Sequence, residues 1–336
     1  MKTDSAIWAR GITKVFRQGA DQVPAVTSLD LDVAEGEIVG VLGPNGAGKT
    51  TTMRMLTTLL HPTSGEATVA GCDLLADPTG VRARIGYVAQ SSGVAPDNRA
   101  LEELVLQGRL YGLTKAVARG RAISLLDEFD LAGMEQRPIK SLSGGQCRRL
   151  DLALGLIHAP RMMFLDEPTV GLDPQSRANL WKHVLRLKEE NGASIVLSTH
   201  YLDEADFLAD RIFVLDRGTV VAVGTPDELK SAVSFDRITL TVAEEDLLEA
   251  GHACERLGGV REPSAKREQI TFRVPGAASM LPHLIRALDS CQVEASAIEI
   301  TRPSLDDVFF SLTGRTLRDS SEHELELLTG GVSNVA

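Results

Sequence analysis

Short apolar runs separated by glycine-rich and polar segments dominate the first two thirds of the chain. Three of these runs, at residues 38–42, 162–165 and 194–199, are rich in apolar residues and lack strict alternation, as strands buried on both faces of a parallel sheet do. Helical patterns lie between them, so residues 5 to 90 and 160 to 225 alternate strands with helices. This order predicts an α/β fold with a parallel sheet.

A helical insert interrupts this core. Residues 91–157 are predicted to be mainly helical, because apolar residues recur there at helical spacing, first at Leu101, Leu104 and Leu110 and again over residues 123–129. The segment 91–98 contains Gly, Pro, Asp and Asn and is typical of a flexible joint. The apolar residues of the insert could equally be plain core.

The pattern changes after Thr225-Pro226. Strand alternation and helical spacing follow one another at residues 238–242, 247–257, 270–274, 280–288 and 293–300. With a further strand near Val260 the order is β-α-β-β-α-β, which predicts a small α+β, ferredoxin-like domain. We therefore expect domains at residues 1–230 and 236–314. The tail 315–336, rich in Ser, Glu and Gly, is predicted to be disordered.

A glycine-rich loop follows the run at residues 38–42 and fits the phosphate-loop pattern G-x-x-x-x-G-K-[ST]. Its glycines let backbone N–H groups turn towards a polyphosphate, and the helix that follows adds partial positive charge. Lys49 can reach the β/γ-phosphates and the Thr50 hydroxyl can ligate Mg²⁺. A turn with a chance lysine is the alternative. The predicted nucleotide-binding residues here are Gly43, Pro44, Asn45, Gly46, Ala47, Gly48, Lys49, Thr50 and Thr51.

Two acids, Asp166 and Glu167, follow the apolar run at residues 162–165. A buried parallel strand delivers such carboxylates to the carboxyl edge of the sheet, where ligands of open α/β folds bind. Asp166 is predicted to hold Mg²⁺ through its water shell, and Glu167 to orient or deprotonate the attacking water. The alternative is a solvated turn, which has no reason to follow an apolar strand.

The sequence Leu142-Ser-Gly-Gly-Gln146, between these two motifs, carries a family resemblance. The chain resembles the ATP-binding subunit of an ABC transporter, a P-loop NTPase fold with a helical subdomain. The resemblance covers residues 5 to about 230, with the motifs in the family's order. It implies ATP and Mg²⁺ as cofactors, with Lys49, Glu167 and two residues assigned below as the catalytic set for phosphoryl transfer.

The resemblance assigns further roles residue by residue. Phe16 corresponds to the aromatic residue that stacks on adenine, with Trp8 as the less favoured substitute. Gln90 corresponds to the Q-loop glutamine, a catalytic residue and Mg²⁺ ligand, and Asp173 to the D-loop aspartate. His200 corresponds to the switch histidine, which contacts the γ-phosphate. Without the neighbouring motifs, Phe16 would be interpreted as core and His200 as a polar loop residue.

One phosphate loop and one signature occur in the 336 residues. In the family, residues corresponding to Ser143, Gly144 and Gly145, with Gln146 beside them, contact the γ-phosphate held by a second subunit. A helix N-terminus with a serine hydroxyl is a natural anion site. The resemblance therefore implies a homodimer with C2 symmetry, in which each chain completes the other's site.

The four cysteines are scattered without a C-x-x-C pair, which fits reduced thiols and gives no metal site. Cys147 directly follows the signature at the predicted start of a helix, where the pKa of a thiol tends to fall. The interpretation that we favour is a small residue tolerated at that turn.

Composition narrows the functional class. The formal net charge of −11 argues against general binding to nucleic acids or anionic membranes, so no nucleic-acid partner is expected. No run approaches eighteen apolar residues, and the first five residues do not begin a signal peptide. The resemblance implies a peripheral protein on the cytoplasmic face of the membrane, with a separate permease whose coupling helix enters a groove beside Gln90.

Three segments resemble the daunorubicin-resistance type of exporter ATPase: residues 148–151, 201–206 and 304–314. The predicted function is therefore an ATPase motor that exports a drug, antibiotic or lipid-like compound. The alternative is a soluble ABC ATPase acting on ribosomes or DNA, but the second nucleotide domain and the inserts of those classes are missing. The cargo stays open, because an ATPase subunit does not touch it, and export over import rests on family analogy.

Overall fold

The computed structural model describes residues 5–19, 21–91, 93–233, 235–258, 260–301 and 303–314. Contacts within the chain divide it into two units, with the boundary in the sequence between Pro226 and Asp227. The domain limits given above stay a proposal. The tail 315–336, predicted to be disordered, lies outside the described residues.

The elements of the first unit alternate between strands and helices after an initial run of strands. In chain order they are β1 (Ser5–Gln18), β2 (Asp21–Ala34), β3 (Ile38–Leu42), α1 (Lys49–Leu56), β4 (Ser64–Val69), β5 (Cys72–Asp73), α2 (Pro78–Arg84), β6 (Ile85–Val88), α3 (Ala100–Leu110), α4 (Lys115–Glu128), α5 (Gly144–Leu156), β7 (Met162–Asp166), α6 (Pro174–Asn191), β8 (Ser194–Thr199), α7 (Leu202–Leu208), β9 (Arg211–Asp216) and β10 (Thr219–Gly224).

A six-stranded sheet in the order β10-β9-β3-β8-β7-β6 positions the site. Strand β3 pairs in parallel with β8 and β9, and β7 pairs in parallel with β6 and β8, which confirms the predicted parallel sheet. Every residue of β3, β7 and β8 is buried. Because the strands are in register, Leu42 pairs with Thr199 and Asp166 pairs with Ser198, so three loops meet at one edge.

A separate antiparallel sheet, in the order β2-β1-β4-β5, packs through a buried apolar cluster with residues of the parallel sheet. Ile12 and Leu29 are paired across β1 and β2 and belong to the same cluster as Met53 and Phe164. Residues 5–42 thus differ from the predicted alternation, because three strands follow one another with no helix between them. The sequence pattern of a strand does not show which of two sheets the strand belongs to.

The insert is helical, as predicted, with α3, α4 and α5 packed around a second apolar cluster. Leu101 and Leu104 are buried there, and Phe129 is almost fully buried at the end of α4. Leu110 is the exception to the predicted helical stripe, since it is 73% exposed at the end of α3. Its exposure becomes relevant to partner binding.

The second unit has the predicted β-α-β-β-α-β order, preceded by one helix and followed by another. In chain order its elements are α8 (Pro226–Val233), β11 (Asp236–Val242), α9 (Leu247–Glu255), β12 (Arg261–Lys266), β13 (Gln269–Val274), α10 (Ala277–Ser290), β14 (Ala295–Thr301) and α11 (Leu305–Thr313). The antiparallel sheet order is β12-β13-β11-β14, which is the ferredoxin-like arrangement. Ile238, Leu240 and Phe272 face a core shared with α9 and α10.

Candidate functional site

The phosphate loop links the carboxyl end of β3 to the first turn of α1, as the motif predicts. Gly48 is the N-cap of α1 and has φ +99°, a conformation that L side chains rarely adopt. A Cβ atom at Gly43 would lie 2.4 Å from the carbonyl oxygen of Leu215, and one at Gly48 would lie 2.6 Å from that of Ala25. The glycines are therefore required by the backbone, and the loop keeps the shape that a polyphosphate needs.

Lys49 is buried at the start of α1, where 4% of its surface is exposed. Its ammonium group donates to the carbonyl oxygens of Gly43 (2.8 Å) and Pro44 (2.9 Å). It also lies 3.3 Å from Oε1 of Glu167. The charge of Lys49 is thus fixed between the loop and the carboxylate that follows β7.

Asp166 is the last residue of β7, and three hydroxyl groups surround its carboxylate. Ser198 donates to Oδ1 at 2.6 Å, Thr50 donates to Oδ1 at 3.1 Å, and Tyr87 donates to Oδ2 at 3.2 Å. Burial, reinforced by the charge of Asp166, raises the pKa of Tyr87 to about 12. Sequence reasoning missed Tyr87 and Ser198. Ser198 lies two residues before His200 in the sequence, but that position does not by itself place it beside Asp166.

The oxygen atoms around Asp166 suit Mg²⁺. This ion prefers hard oxygen ligands and is usually held by one or two protein groups together with substrate phosphates. Thr50 and Asp166 supply a hydroxyl and a carboxylate. Within the described part of the chain, no group of three or more His, Cys, Asp or Glu side chains is placed to hold a metal ion. The pair therefore fits a metal that is shared with a nucleotide, and does not fit a metal held by protein side chains alone.

Glu167 is the meeting point of the predicted catalytic residues. Its carboxylate accepts a hydrogen bond from Nε2 of Gln90 (2.9 Å), and Oε1 lies 3.3 Å from both Nζ of Lys49 and Nδ1 of His200. Its backbone N–H donates to the carbonyl oxygen of Ser198 (3.1 Å), and its φ is +46°. Such strain at a non-glycine residue is typical of functional sites.

Charge keeps Glu167 ionised despite its burial. Burial by itself raises the pKa of the carboxyl group, but the contacts with His200 and Lys49 outweigh it and hold the pKa below its ordinary value. An ionised carboxylate accepts hydrogen bonds only, so it can accept one from a water molecule. Four residues that are distant in sequence thus form one hydrogen-bonded polar cluster around an ionised carboxylate.

The signature residues lie at the start of α5. Ser143 is the N-cap of the helix and forms a capping box with Gln146: the Ser143 N–H donates to Oε1 of Gln146 (2.9 Å), and the Gln146 N–H donates to the Ser143 hydroxyl (3.3 Å). Among the described residues, no hydrogen bond or ion pair joins residues 143–145 to the phosphate loop. Ser143 and Gly144 are exposed.

Other predicted binding residues lie on separate elements. Phe16 is 41% exposed on β1, and Nζ of Lys14 lies over its ring, 5.3 Å from the ring centroid. Asp173 is the N-cap of α6, and its carboxylate accepts from the hydroxyl (2.6 Å) and N–H (3.0 Å) of Ser176, which lowers its pKa. The roles of Phe16 and Asp173 towards a nucleotide stay predictions.

The alternative of an activated thiol at Cys147 is wrong. Burial, together with the charge of Asp151, raises the pKa of the Cys147 thiol, although the residue lies in the first turn of α5. Its Sγ faces the carbonyl oxygens of Ile139 (3.7 Å) and Leu142 (3.9 Å). Desolvation thus outweighs the helix N-terminus, and Cys147 is a small packed residue.

Known families match both units. The family described as "ABC transporter" matches residues 26–170, which include the phosphate loop and the signature. The family described as "ATP-binding protein DrrA1-3-like, C-terminal domain" matches residues 224–313. The two matches thus cover the phosphate loop, the signature, the two acids and the ferredoxin-like region, whereas Phe16, Asp173 and His200 lie outside them.

Relatives match nearly the whole chain. It is 44% identical to the daunorubicin resistance ATP-binding protein DrrA3 of Streptomyces coeruleorubidus, over 93% of this chain and 96% of that protein. It is 37% identical to the doxorubicin resistance ATP-binding protein DrrA of Mycobacterium tuberculosis (strain CDC 1551 / Oshkosh), over 97% of this chain and 98% of that protein. The chain is an ABC transporter ATP-binding protein of the DrrA type.

A solved structure supports the same assignment. The dimeric, post-hydrolysis structure of the ATP-binding cassette MJ0796 bound to ADP and Pi matches with a TM-score of 0.61 and 28% identity. The match covers 65% of this chain and 98% of the MJ0796 chain. The DrrA-type protein is therefore an ABC-type ATPase. None of its described helices is both long enough and apolar enough to cross a membrane.

Proposed function

We propose that this DrrA-type protein is the ATP-hydrolysing motor of an exporter for a hydrophobic drug or antibiotic, working as a homodimer with a separate permease. The observation that carries the proposal is the position of Glu167, whose carboxylate is held by Lys49, Gln90 and His200. Phosphoryl transfer needs charge neutralisation and in-line positioning more than covalent chemistry. This cluster has the groups for both tasks.

Each residue then has a distinct role in hydrolysis. Lys49 and the loop N–H groups bind the β/γ-phosphates, and Thr50 with Asp166 would hold Mg²⁺, with Gln90 as a further predicted ligand. The ion, when bound, neutralises charge on the phosphates. Glu167 orients the attacking water and accepts its proton. His200 contacts the γ-phosphate and holds that water together with Glu167. Ser198 and Tyr87 fix the rotamer of Asp166.

Dimerisation is proposed because the signature lies on an exposed helix start away from its own phosphate loop. The N-terminus of α5 offers partial positive charge and unpaired N–H groups, the features of an anion site. The MJ0796 cassette is a dimer in its ADP-bound structure. We therefore place Ser143, Gly144 and Gly145 against the γ-phosphate of a second copy.

A permease contact is supported by a cavity near Gln90 that is lined by both apolar and polar residues. This cavity of about 220 Å³ is lined by residues that include Leu59, Tyr87 and Tyr111. Leu59 is 59% exposed, and Leu110, next to Tyr111, is 73% exposed. Exposed large apolar side chains at and next to a cavity favour an interaction site. Tyr87, which also binds Asp166, would connect the permease to the metal site.

The cargo class is proposed from the relatives alone. The Streptomyces and Mycobacterium proteins are named for resistance to daunorubicin and doxorubicin, so we propose that the cargo is a drug or antibiotic of that kind. Family resemblance also supports placement on the cytoplasmic face of the membrane.

The proposed function is tested with the purified protein and with its permease in vesicles. We expect Mg²⁺-dependent ATP hydrolysis that chelation of the metal abolishes, and ATP-driven movement of daunorubicin across vesicles that contain the permease. Lys49→Ala should eliminate both. The soluble ABC ATPase class would instead be favoured if the protein hydrolyses ATP, no permease responds to that hydrolysis, and the protein binds ribosomes.

A further inference from the structure

Arg148 is a buried arginine on α5, five residues after the Ser143 cap, with 7% of its surface exposed. Its guanidinium group donates to four backbone carbonyl oxygens outside its own helix. The acceptors are Pro168 (from Nε, 2.6 Å), Ala89 (from Nη1, 2.6 Å), Asp166 (from Nη2, 3.2 Å) and Glu167 (from Nη2, 3.4 Å). One side chain thus joins α5 to the segments that follow β6 and β7.

These carbonyl groups belong to the backbone next to two predicted catalytic residues. Ala89 directly precedes Gln90, and Glu167 itself is one of the acceptors. Gln90 in turn donates to Oε2 of Glu167 at 2.9 Å. A shift of Arg148 would therefore move both partners of the hydrogen bond between Gln90 and Glu167.

The chemistry of the contact requires arginine. Burial lowers the pKa of the Arg148 guanidinium from its ordinary value, while Asp151, whose Oδ2 lies 3.6 Å from Nη1, raises it. Guanidinium has five N–H donors in a rigid planar fork, so it can reach carbonyl groups of two separate segments at once. Lysine has a single ammonium group and cannot reproduce this arrangement.

We propose that Arg148 is a positioning residue that couples the signature helix to the hydrolytic carboxylate. When residues 143–145 bind the phosphate of the partner, α5 shifts as a rigid rod, and Arg148 carries that shift to Gln90 and Glu167 of the same subunit. Because a helix rises 1.5 Å per residue, Arg148 lies only about 7.5 Å along α5 from Ser143. This inference rests on the proposed function of the site.

The neighbouring residue Arg149 offers a matched control. It lies on the same helix, but its Nη1 donates to the carbonyl oxygen of Phe129 (3.1 Å) and lies 3.3 Å from Oδ2 of Asp130. Both partners belong to the helical part of the first unit. Replacing Arg149 therefore removes an arginine from α5 without touching Gln90 or Glu167.

The test compares Arg148→Lys, Arg148→Ala and Arg149→Ala for ATP binding, steady-state kcat and thermal unfolding. We expect both Arg148 variants to lose about 5- to 150-fold in kcat, the range of a typical coupling between sites, with ATP affinity largely kept. Arg149→Ala should keep kcat near that of the wild type. Wild-type kcat in a folded Arg148→Lys protein would overturn the inference, as would equal kcat losses in Arg148→Lys and Arg149→Ala.

A double-mutant cycle with Gln90→Ala separates positioning from general stability. If Arg148 acts through Gln90, the losses in kcat should be clearly less than additive, because the second change removes a contact already lost. Additive losses would mean that Arg148 acts independently of Gln90 and would overturn the inference. Lys49→Ala serves as the reference: if it retains turnover, the proposed function fails, whereas normal Arg148 variants beside an inactive Lys49→Ala protein refute the coupling alone.

Discussion

Oε1 of Glu167 lies 3.3 Å from Nζ of Lys49, so the carboxylate at the end of one central strand is paired with the lysine of the phosphate loop after another. The negative carboxylate of Glu167 and the positive ammonium group of Lys49 therefore lie side by side in the proposed nucleotide site. Because the ammonium group also binds the loop carbonyls, Lys49 is held by the loop whether or not Glu167 is charged.

Replacing Glu167 by Gln should therefore separate binding from turnover. The amide keeps the shape and the contacts with Gln90 and His200, but it cannot accept a proton, so we expect loss of most of kcat, at least about 100-fold, with ATP affinity retained. Lys49→Ala should lose ATP binding as well, because the phosphates lose their cation. A fluorescent ATP analogue and a phosphate-release assay measure the two quantities. Equal loss of ATP binding in both variants would refute our assignment.

ATP should drive dimerisation through the signature. In a Glu167→Gln background, we expect ATP to convert monomers to dimers in light scattering. An additional Ser143→Arg change should prevent this, because the added side chain fills the anion site and its charge is repelled by the partial positive charge of the helix N-terminus. The lost N-cap should cost only about 1 kcal/mol of stability. Ser124→Arg, at an exposed position of α4, is the control and should dimerise normally. A monomer of the parent chain that hydrolyses ATP would contradict the shared site.

The second unit should be dispensable for nucleotide binding. A chain that ends at Thr225 retains the phosphate loop, both acids and the signature. The match with the MJ0796 cassette covers 98% of that cassette but only 65% of this chain. We propose that this unit is regulatory or supports dimerisation, because it forms a core of its own and none of the nucleotide motifs lies in it. We therefore expect ATP binding to persist in the shortened chain, while dimer stability or stimulation by the permease changes.

A single core substitution gives a milder version of that experiment. Phe272 is fully buried in the second unit, so Phe272→Ala should destabilise that unit by about 3–5 kcal/mol without weakening ATP binding. If the full-length, Phe272→Ala and shortened proteins all support the same rate of transport, the regulatory proposal fails and the unit is only a stabilising appendage.

Stability should depend on pH through Glu204. This residue on α7 is fully buried, and Nε1 of Trp181 donates to its Oε1 at 3.1 Å. Burial raises the pKa of Glu204 above 4.5, although hydrogen bonds with Thr199, Thr169 and Trp181 partly oppose this. A carboxyl group with a raised pKa contributes stability below its unfolded pKa and loses that contribution as pH rises through the folded pKa.

Glu204→Gln should remove this pH dependence. The amide keeps an acceptor for Trp181 but does not ionise, so the melting temperature of the variant should gain on the wild type as pH rises above the ordinary range of a glutamate carboxyl group. Thermal unfolding at a series of pH values measures the effect, and Glu189→Gln, at an exposed position of α6, serves as the control. A difference in melting temperature that does not change with pH would refute the raised pKa of Glu204.

The sequence by itself determined the features that depend on local pattern. The phosphate loop, the two acids and the signature were recognisable because their residue order is fixed by chemistry that acts over a few residues. The ferredoxin-like order was predictable as well, because alternation at Ile238, Leu240 and Phe272 reports one buried sheet face, and the structure confirms that order.

Only the tertiary structure decided which distant groups meet. Ser198 and Tyr87 reach Asp166 because β8 and β6 flank β7 in register, and no local pattern encodes that neighbourhood. The same holds for Arg148, whose buried contacts with the carbonyl groups of Ala89 and Pro168 no local pattern indicates. Burial, strand order and register are collective results of packing, and they set the distances on which hydrogen bonds and pKa shifts depend.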